Sequence, residues 1–488
     1  NLLLLSISIQ RRLIEVDVYC FELLQKMHPI IVQSYQQKNT FSMGSSNLLF
    51  KLPSRYSSFL PRFYRLASVS IISNIMVPLS GIVDTAFLGH LADIRHLEGV
   101  ILASILFDYL YRILKFFRNG TNAITAEAVG QNDDKAVVLA LLRSALVAGF
   151  IAVLILVFQY PIQKFGFAIL AGSPDVEVFG IDYFNARIWA APAVLLNFVL
   201  IGWFLGREMS VLVLLISFVG NASNVVLDYL MIIRWGWGST GAGLATSLSH
   251  YLALLVAFMG MVFSLDKKAL PIFKNIFDWS ALKASVVLKS NILIRYLAMI
   301  TAYSIFTNLS AAMGNQVIAE NGLLLQIVLL SQFTVNGIGL TTQSLIGNFK
   351  GKGETEQMMP LLQVSIFIGV LIASIFASVT ILFPQTIFGL LTSHTDISQS
   401  VVNYRDWLLP LLICGAVAFM FEGYTVGLKE GAKLRNSALI ALGLGFTPVA
   451  GIAWYLQSNH LLWLSLVFYM ATLMIALGVQ IPGMQSKQ

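Results

Sequence analysis

Residues 136–158 decide the class of this protein: they read AVVLALLRSALVAGFIAVLILVF, with Arg143 as the one charged side chain. An apolar helix of roughly 20 residues crosses the hydrocarbon core of a bilayer, so this segment is a predicted transmembrane helix. Over all 488 residues, 57% are hydrophobic and 11% are charged, and the mean hydropathy is +0.78. Soluble proteins carry about 25% charged residues, so the composition excludes a soluble protein of this length.

Similar apolar runs recur along the chain and predict an all-α polytopic membrane protein with twelve transmembrane helices in two pseudo-symmetric six-helix bundles. The twelve runs are 64–89, 97–118, 136–158, 184–206, 210–233, 239–264, 291–313, 320–347, 361–384, 400–428, 435–456 and 461–481. The predicted domains are an N-terminal extension without fixed structure (1–62), a first bundle (63–265), a cytoplasmic linker (266–290), a second bundle (291–482) and a tail (483–488).

Basic residues concentrate in alternate loops between these runs. If the N-terminus is cytoplasmic, the outside loops hold only Arg95, Lys164 and Arg234, and the inside loops hold the larger set. That set is Lys135, Arg207, Lys267, Lys268, Lys274, Lys283, Lys289, Lys350, Lys352, Lys429, Lys433, Arg435 and Lys487. This asymmetry predicts a multi-pass protein of the cell inner (plasma) membrane with both termini cytoplasmic. We interpret the net charge of +7 as a topology signal, not as a sign of nucleic-acid binding.

The two halves of the sequence share glycine patterns in their second and fourth predicted spans. The run from Gly120 to Gly130 resembles the run from Gly337 to Gly347, and Gly202-Trp-Phe-Leu-Gly206 resembles Gly423-Tyr-Thr-Val-Gly427. Because each half has an even number of spans, these repeats predict two bundles related by an axis along the membrane normal.

Carboxylates inside the predicted spans are the first candidates for function, since an ionised carboxylate in mid-bilayer costs at least ~2.5–3.5 kcal/mol. Asp84 follows Pro78, which should bend its helix, and Ser80 lies one turn before it on the same face. The alternative for Asp84 is a structural role at the outer helix end. We predict that Asp84 is a functional residue, with Ser80 beside it.

The fifth span carries a polar stripe that ends in a second carboxylate. Ser217, Asn221, Asn224 and Asp228 recur at helical spacing, so they share one face of an otherwise apolar helix. Such a face must meet protein or a water-filled cavity, and the alternative is a hydrogen-bonded seam between helices. We predict a cavity at this face, with Asp228 as the second functional carboxylate and Asn221, Asn224 and Thr246 in its polar network.

Amides dominate the polar residues of the second half. Asn336 and Gln343 share one face of the eighth span and are predicted to complete the cavity network, whereas Glu422 is the main ionisable group. Nucleotide-binding, metal-binding and hydrolase motifs do not occur in the sequence. The sequence therefore predicts neither an enzyme nor a cofactor or metal site.

Several motifs of the first half resemble the DinF-like branch of the multidrug and toxic compound extrusion (MATE) family. They are Pro78-Leu-Ser-Gly-Ile-Val-Asp84, Phe117-Arg-Asn-Gly-Thr-Asn-Ala-Ile-Thr-Ala-Glu-Ala-Val-Gly130, Arg187-Ile-Trp-Ala-Ala-Pro-Ala193, Gly202-Trp-Phe-Leu-Gly206, Asn224-Val-Val-Leu-Asp228 and Gly241-Ala-Gly-Leu-Ala-Thr246. The resemblance runs from about residue 60 to residue 480 and is weaker in the second half. It implies two six-helix bundles around a V-shaped cavity, cation coupling at Asp84, and a polar network that includes Asn224, Asp228 and Thr246.

Four positions depart from the pattern of the DinF-like branch. Asn336 stands at a usual aspartate, Gln343 lies near a usual acidic position, Asn291 replaces an aspartate, and Glu127 replaces a glutamine. Three of these changes place an amide at or near a position that is usually acidic. They weigh against coupling through carboxylates of the second half, apart from Glu422.

The predicted function is secondary antiport. A small organic molecule, often cationic, leaves the cell in exchange for H+ or Na+ by alternating access, as the resemblance implies. Asp84 and Asp228 are the predicted sites at which the coupling cation or proton binds. The expected partners are this substrate and the lipid bilayer, and the protein is expected to be a monomer. The main alternative is a flippase for lipid-linked precursors with a related two-bundle fold, which predicts a lipid-open groove rich in basic residues.

Overall fold

The computed structural model describes residues 58–89, 91, 93–170, 172–265, 275–391 and 399–485, and nearly all of them are helical. Ten helices within these ranges are long and apolar enough to cross a membrane. The first two predicted spans are also helices, so the twelve-helix fold is confirmed. The helices are α1 (Leu60–Gly89), α2 (Arg95–Leu114 and Phe116–Gly130), α3 (Asp134–Val157), α4 (Pro174–Gly206), α5 (Ser210–Arg234), α6 (Gly238–Ser264), α7 (Trp279–Met313), α8 (Asn315–Lys352), α9 (Met358–Leu382), α10 (Leu408–Gly427), α11 (Gly431–Tyr455) and α12 (Asn459–Gly478).

Parts of three predicted segments lie outside the described residues. They are residues 1–57 of the predicted extension, residues 266–274 of the predicted linker and residues 486–488 of the predicted tail. The short helices Gln159–Leu170 and Pro384–Leu391 follow α3 and α9, which are corresponding positions in the two halves.

Helix α7 begins at Trp279, twelve residues before the predicted start of this span at 291. The Asp278 side chain caps the helix, because its Oδ1 accepts hydrogen bonds from the backbone N–H of Ser280 at 2.9 Å and of Ala281 at 3.4 Å. Residues 279–290, predicted as linker, are therefore helical. Lys289, counted among the linker lysines, is only 2% exposed and donates hydrogen bonds to the hydroxyls of Ser144 and Ser285.

Helix α2 consists of two segments that meet at Lys115, and it continues to Gly130, well beyond the predicted end at 118. The backbone of Lys115 stays in the helical region, with φ −57° and ψ −15°. In α4 a 3₁₀ turn, Ile188–Ala190, separates two α-helical parts, and Pro192 opens the second part. Proline fits there because the first turn of a helix needs no backbone N–H donor.

Glycines of α4 and α10 allow close contact with the neighbouring helix in each half. A Cβ atom on Gly202 would lie under 3.0 Å from the carbonyl oxygen of Arg118, and one on Gly423 would meet that of Gly339 equally closely. Corresponding residues of the two contacts are 221 positions apart: Gly423 follows Gly202 by 221 residues, and Gly339 follows Arg118 by the same number. The two halves thus repeat the same packing, as the glycine pattern of the fourth spans predicted.

The two bundles meet where α2 and α8 end. A Cβ atom on Gly130 would lie under 3.0 Å from the carbonyl oxygen of Asn348, and one on Gly351 would lie equally close to that of Glu127. These reciprocal contacts again follow the 221-residue repeat, so Gly130 corresponds to Gly351. The sequence comparison paired Gly130 with Gly347, four residues earlier. A shift of four residues keeps a residue near the same helical face, which explains why the glycine pattern did not reveal it.

Charged residues surround this contact, which we call the sealed face. Glu127 forms ion pairs with Lys429 and, at 3.6 Å, with Lys350 of the second half. Arg62 of α1 pairs with Glu208 and donates a hydrogen bond to the Asn348 side chain at 2.9 Å. Main-chain contact and ion pairs therefore close the space between the bundles at this end.

Candidate functional site

Asp84 of α1 and Asp228 of α5 lie side by side inside the first bundle, with their carboxyl groups in hydrogen-bonding range of each other. Asp228 is 0% exposed and Asp84 is half-buried. Neither side-chain oxygen of Asp228 accepts a hydrogen bond from a donor group in the described ranges. Two ionised carboxylates cannot bond to each other because both only accept. The pair is therefore suited to bind a proton or a metal cation between its two groups.

The backbone changes form next to this acid pair. Regular α-helix in α5 ends at Asp228, and the next six residues, Tyr229–Arg234, form a π-helix. Wide helical turns of this kind occur often at functional sites. Asn224, one turn before Asp228, is 5% exposed, and its Nδ2 has no hydrogen-bond acceptor among the described residues. Asp228 and Asn224 thus form a buried polar face, as the stripe predicted.

Arg187 is a cation close enough to the acid pair for its charge to act on both carboxyl groups. The sequence analysis did not assign it a role. Arg187 donates a hydrogen bond to the Tyr183 hydroxyl, and its guanidinium carbon lies 4.8 Å from the centre of the Phe107 ring. The sequence signal that points to Arg187 is a basic residue at the start of a long apolar run. The sequence analysis includes this residue only as part of a family motif.

The remaining residues predicted beside the acid pair have different surroundings. Asn221 donates to the Ser217 carbonyl at 2.7 Å, and Thr246 donates to the Ala242 carbonyl at 2.9 Å, so both bond within their own helices. The Ser80 side chain lies outside the described residues. Their predicted part in binding thus remains a prediction.

Asn336 and Gln343 lie in α8 of the second half, at cavities between the bundles. Asn336 lines two such cavities, and Gln343 lines the smaller one and donates a hydrogen bond to the Asn119 carbonyl of α2 at 2.7 Å. The described residues that line these cavities do not include Asp84 or Asp228. The polar residues predicted as one network therefore divide between an acid pair inside one bundle and a cavity between bundles.

The larger cavity has a volume of about 60 Å³ and a strongly basic lining. Its walls come from α1, α2, α7, α8 and α10. The lining residues are Asn74, Arg112, Lys115, Arg118, Arg295, Tyr296, Met299, Leu329, Gln332, Phe333, Asn336 and Phe419. The sequence analysis did not identify this cluster, because its residues come from five helices that are distant in the sequence.

One cation of the cavity is neutralised within the second bundle. Arg295 and Glu422 form a buried two-pronged ion pair, with both guanidinium Nε and Nη2 donating to the carboxylate. The exposed fractions of the two side chains are 4% and 11%. Glu422, the one carboxylate singled out in the second half, therefore balances a positive charge and stands apart from the acid pair.

Twelve membrane-crossing helices, two pseudo-symmetric halves and polar sites buried within and between them define a multi-pass membrane transporter. A family model described as MatE matches residues 70–230 and again residues 292–450, once in each half. The chain belongs to the MatE family of multidrug and toxic compound extrusion transporters.

Individual relatives agree with this assignment. The chain is 29% identical to the DNA damage-inducible protein F of Escherichia coli over 410 residues, which cover 84% of this chain and 89% of that protein. It is 23% identical to the chloroplastic protein DETOXIFICATION 44 of Arabidopsis thaliana over 415 residues, 82% and 78% of the two chains. These matches support the DinF-like resemblance and do not favour the flippase alternative.

Solved structures show the same fold. A MOP superfamily transporter from Pyrococcus furiosus superposes with a TM-score of 0.78 at 18% identity. That transporter is described as having a binding pocket of reverse polarity. The match covers 87% of this chain and 95% of that one.

Proposed function

We propose that this protein is a secondary antiporter that exports small organic molecules in exchange for H+ or Na+. The observation that carries the proposal is the pair of Asp84 and Asp228, whose adjacent carboxyl groups are suited to share a proton or bind a cation. Binding of a proton or cation by this pair changes the charge inside the first bundle. A ligand shifts a conformational equilibrium only through its different affinity for the two states, and the charge of this pair supplies such a difference.

The proposed orientation places the sealed face at the cytoplasm. It carries Lys350, Lys429 and Arg62, in agreement with the excess of positive charge on the cytoplasmic side. In this orientation both termini are cytoplasmic in the inner membrane, and the structure corresponds to a state closed to the inside. The resemblance suggested a cargo that is often cationic, but the basic lining of the inter-bundle cavity disfavours a cation there.

The test is gradient-driven transport by purified protein in liposomes, with an imposed pH or Na+ gradient. The cargo probes are two xanthene dyes of opposite charge, carboxyfluorescein and rhodamine 123. We expect Asp84→Asn and Asp228→Asn to abolish the response to the coupling gradient while dye exchange without a gradient persists. Gradient-driven transport at the wild-type rate in both variants would reject the coupling assignment.

Asp93→Asn is a matched control, because it removes an aspartate from the loop between α1 and α2. A hydrogen bond from the Arg95 side chain lowers the pKa of Asp93 to about 2, so this carboxylate stays ionised at physiological pH. The control should transport like the wild type over the whole pH range.

A further inference from the structure

The inter-bundle cavity combines several positive charges with very few negative ones. Arg112, Lys115, Arg118 and Arg295 line it, and none of the described lining residues is acidic. Asp108, one turn before Arg112, is exposed and is not part of the lining. Glu422 offsets only Arg295. Three cations therefore contribute an excess of positive charge to a space in which burial makes unpaired charge costly.

Lys115 and Arg118 lie at this cavity, near the junction of the two segments of α2. The Lys115 ammonium lies 5.0 Å from the centre of the Phe333 ring. Arg118 Nη1 donates to the Asn74 side chain at 3.2 Å, whereas its buried Nε has no hydrogen-bond acceptor among the described residues. An acceptor atom brought into the cavity would complete the hydrogen bonding of this guanidinium.

The remaining walls are apolar and aromatic. Phe333, Tyr296, Phe419 and Met299 face the same space as the cations. The guanidinium carbon of Arg295 lies 4.9 Å from the ring centre of Tyr296 and 5.6 Å from that of Phe419. The volume of about 60 Å³ holds a group the size of a carboxylate or sulfonate, because about 10–15 Å³ of such space already holds one water molecule. The rest of a larger ligand would extend from the cavity.

We propose that the cavity between the bundles binds an organic anion with an apolar or aromatic body, and that Arg112, Lys115 and Arg118 determine this preference. The inference rests on the proposed transport function and names its class of cargo. The anionic group lies against Lys115 and Arg118, and the ring packs between Phe333 and Phe419. Charge-assisted hydrogen bonds to the anion satisfy donors that are otherwise unpaired.

Equilibrium binding tests this proposal independently of ion coupling. The probes are 4-toluenesulfonate and benzyltrimethylammonium, which share a benzene ring and carry permanent, opposite charges. Calorimetric titration of the wild-type protein in phosphatidylcholine nanodiscs should show binding of the sulfonate at millimolar concentration or below, and weaker or no binding of the ammonium ion. Preference for the ammonium ion, or binding of neither ion, would overturn the anion assignment.

Variants locate the site and control for folding. Lys115→Gln and Arg118→Gln should each weaken sulfonate binding by about tenfold, the loss expected for one charge-assisted hydrogen bond. Lys115→Arg and Arg118→Lys keep the charge and should retain most of the affinity. Arg234→Gln removes an exposed cation at the end of α5 and should leave binding unchanged. Equal weakening by the charge-keeping and charge-removing variants would overturn the proposed role of charge.

Lipid headgroups are another source of anions. Nanodiscs that also contain phosphatidylglycerol should bind 4-toluenesulfonate as tightly as those without it, because the proposed ligand is a soluble anion. Loss of sulfonate binding in the presence of this lipid would overturn that assignment.

The two proposals can fail separately. Failure of the gradient-driven assay with normal sulfonate binding would reject ion coupling, whereas the proposed class of cargo would stand.

Discussion

The contact between Gly130 and Gly351 predicts how a single methyl group would alter the conformational equilibrium. In Gly130→Ala the new Cβ would lie under 3.0 Å from the Asn348 carbonyl oxygen, whereas ordinary contacts are 3.4–4 Å. The two helix ends must therefore separate by at least about 0.4 Å. Overpacking of this kind costs about 1–3 kcal/mol, which reduces the population of the sealed state relative to the open one by roughly 5- to 150-fold.

The assay is a distance measurement between spin labels on either side of the seam. Gln131 and Lys352 are exposed residues at matched positions of the two halves, and cysteines introduced there can be labelled after replacement of Cys20 and Cys414 by serine. We expect Gly130→Ala to add a population with longer distances. Gly149→Ala is the matched control, since a Cβ there has no neighbour within 4 Å. An unchanged distance distribution in Gly130→Ala would refute the reasoning.

Three further predictions concern buried or paired charges. Arg295→Gln and Glu422→Gln should each lower stability by about 3–5 kcal/mol, because each leaves a buried charge unpaired. The double variant should lose less than the two single losses combined, and thermal unfolding in detergent measures this difference. Lys289→Met should raise the Tm, since the Lys289 ammonium is buried against two serine hydroxyls, and a lower Tm would contradict this account. Glu127→Gln should weaken the sealed face by at most about 1 kcal/mol, because the ion pairs are partly exposed. High salt should mimic this variant in the spin-label measurement.

The sequence was sufficient to predict the fold because lipid imposes a simple rule on every helix. Apolar runs of sufficient length identified the spans, and the fourth-span glycines correctly related Gly202 to Gly423. The errors fell where a local signal competed with this rule. Helix α7 begins at Trp279, where the Asp278 side chain caps it, although residues 279–290 were predicted as part of the linker. The repeat of α2 was misaligned because glycines one turn apart share a face.

The acid pair was also accessible from the sequence, since a carboxylate in an apolar helix is conspicuous in either span. The basic cavity was not. Lys115 and Arg118 come from one helix, whereas Arg295 and the aromatic walls come from the second half of the chain. Periodicity shows which face a residue occupies, but it does not show which distant helix lies opposite. Only the packing of α2 against α7 and α8 reveals that these cations share one space.

The seam at Gly130 and Gly351 holds the bundles together by the fit of two main chains. Such a fit carries no net charge, so salt can weaken the sealed face only through the ion pairs that surround the seam. Loss of those ion pairs costs at most about 1 kcal/mol, whereas the main-chain contact does not depend on ionic strength. Closure of this end of the protein would therefore change little between dilute and concentrated salt.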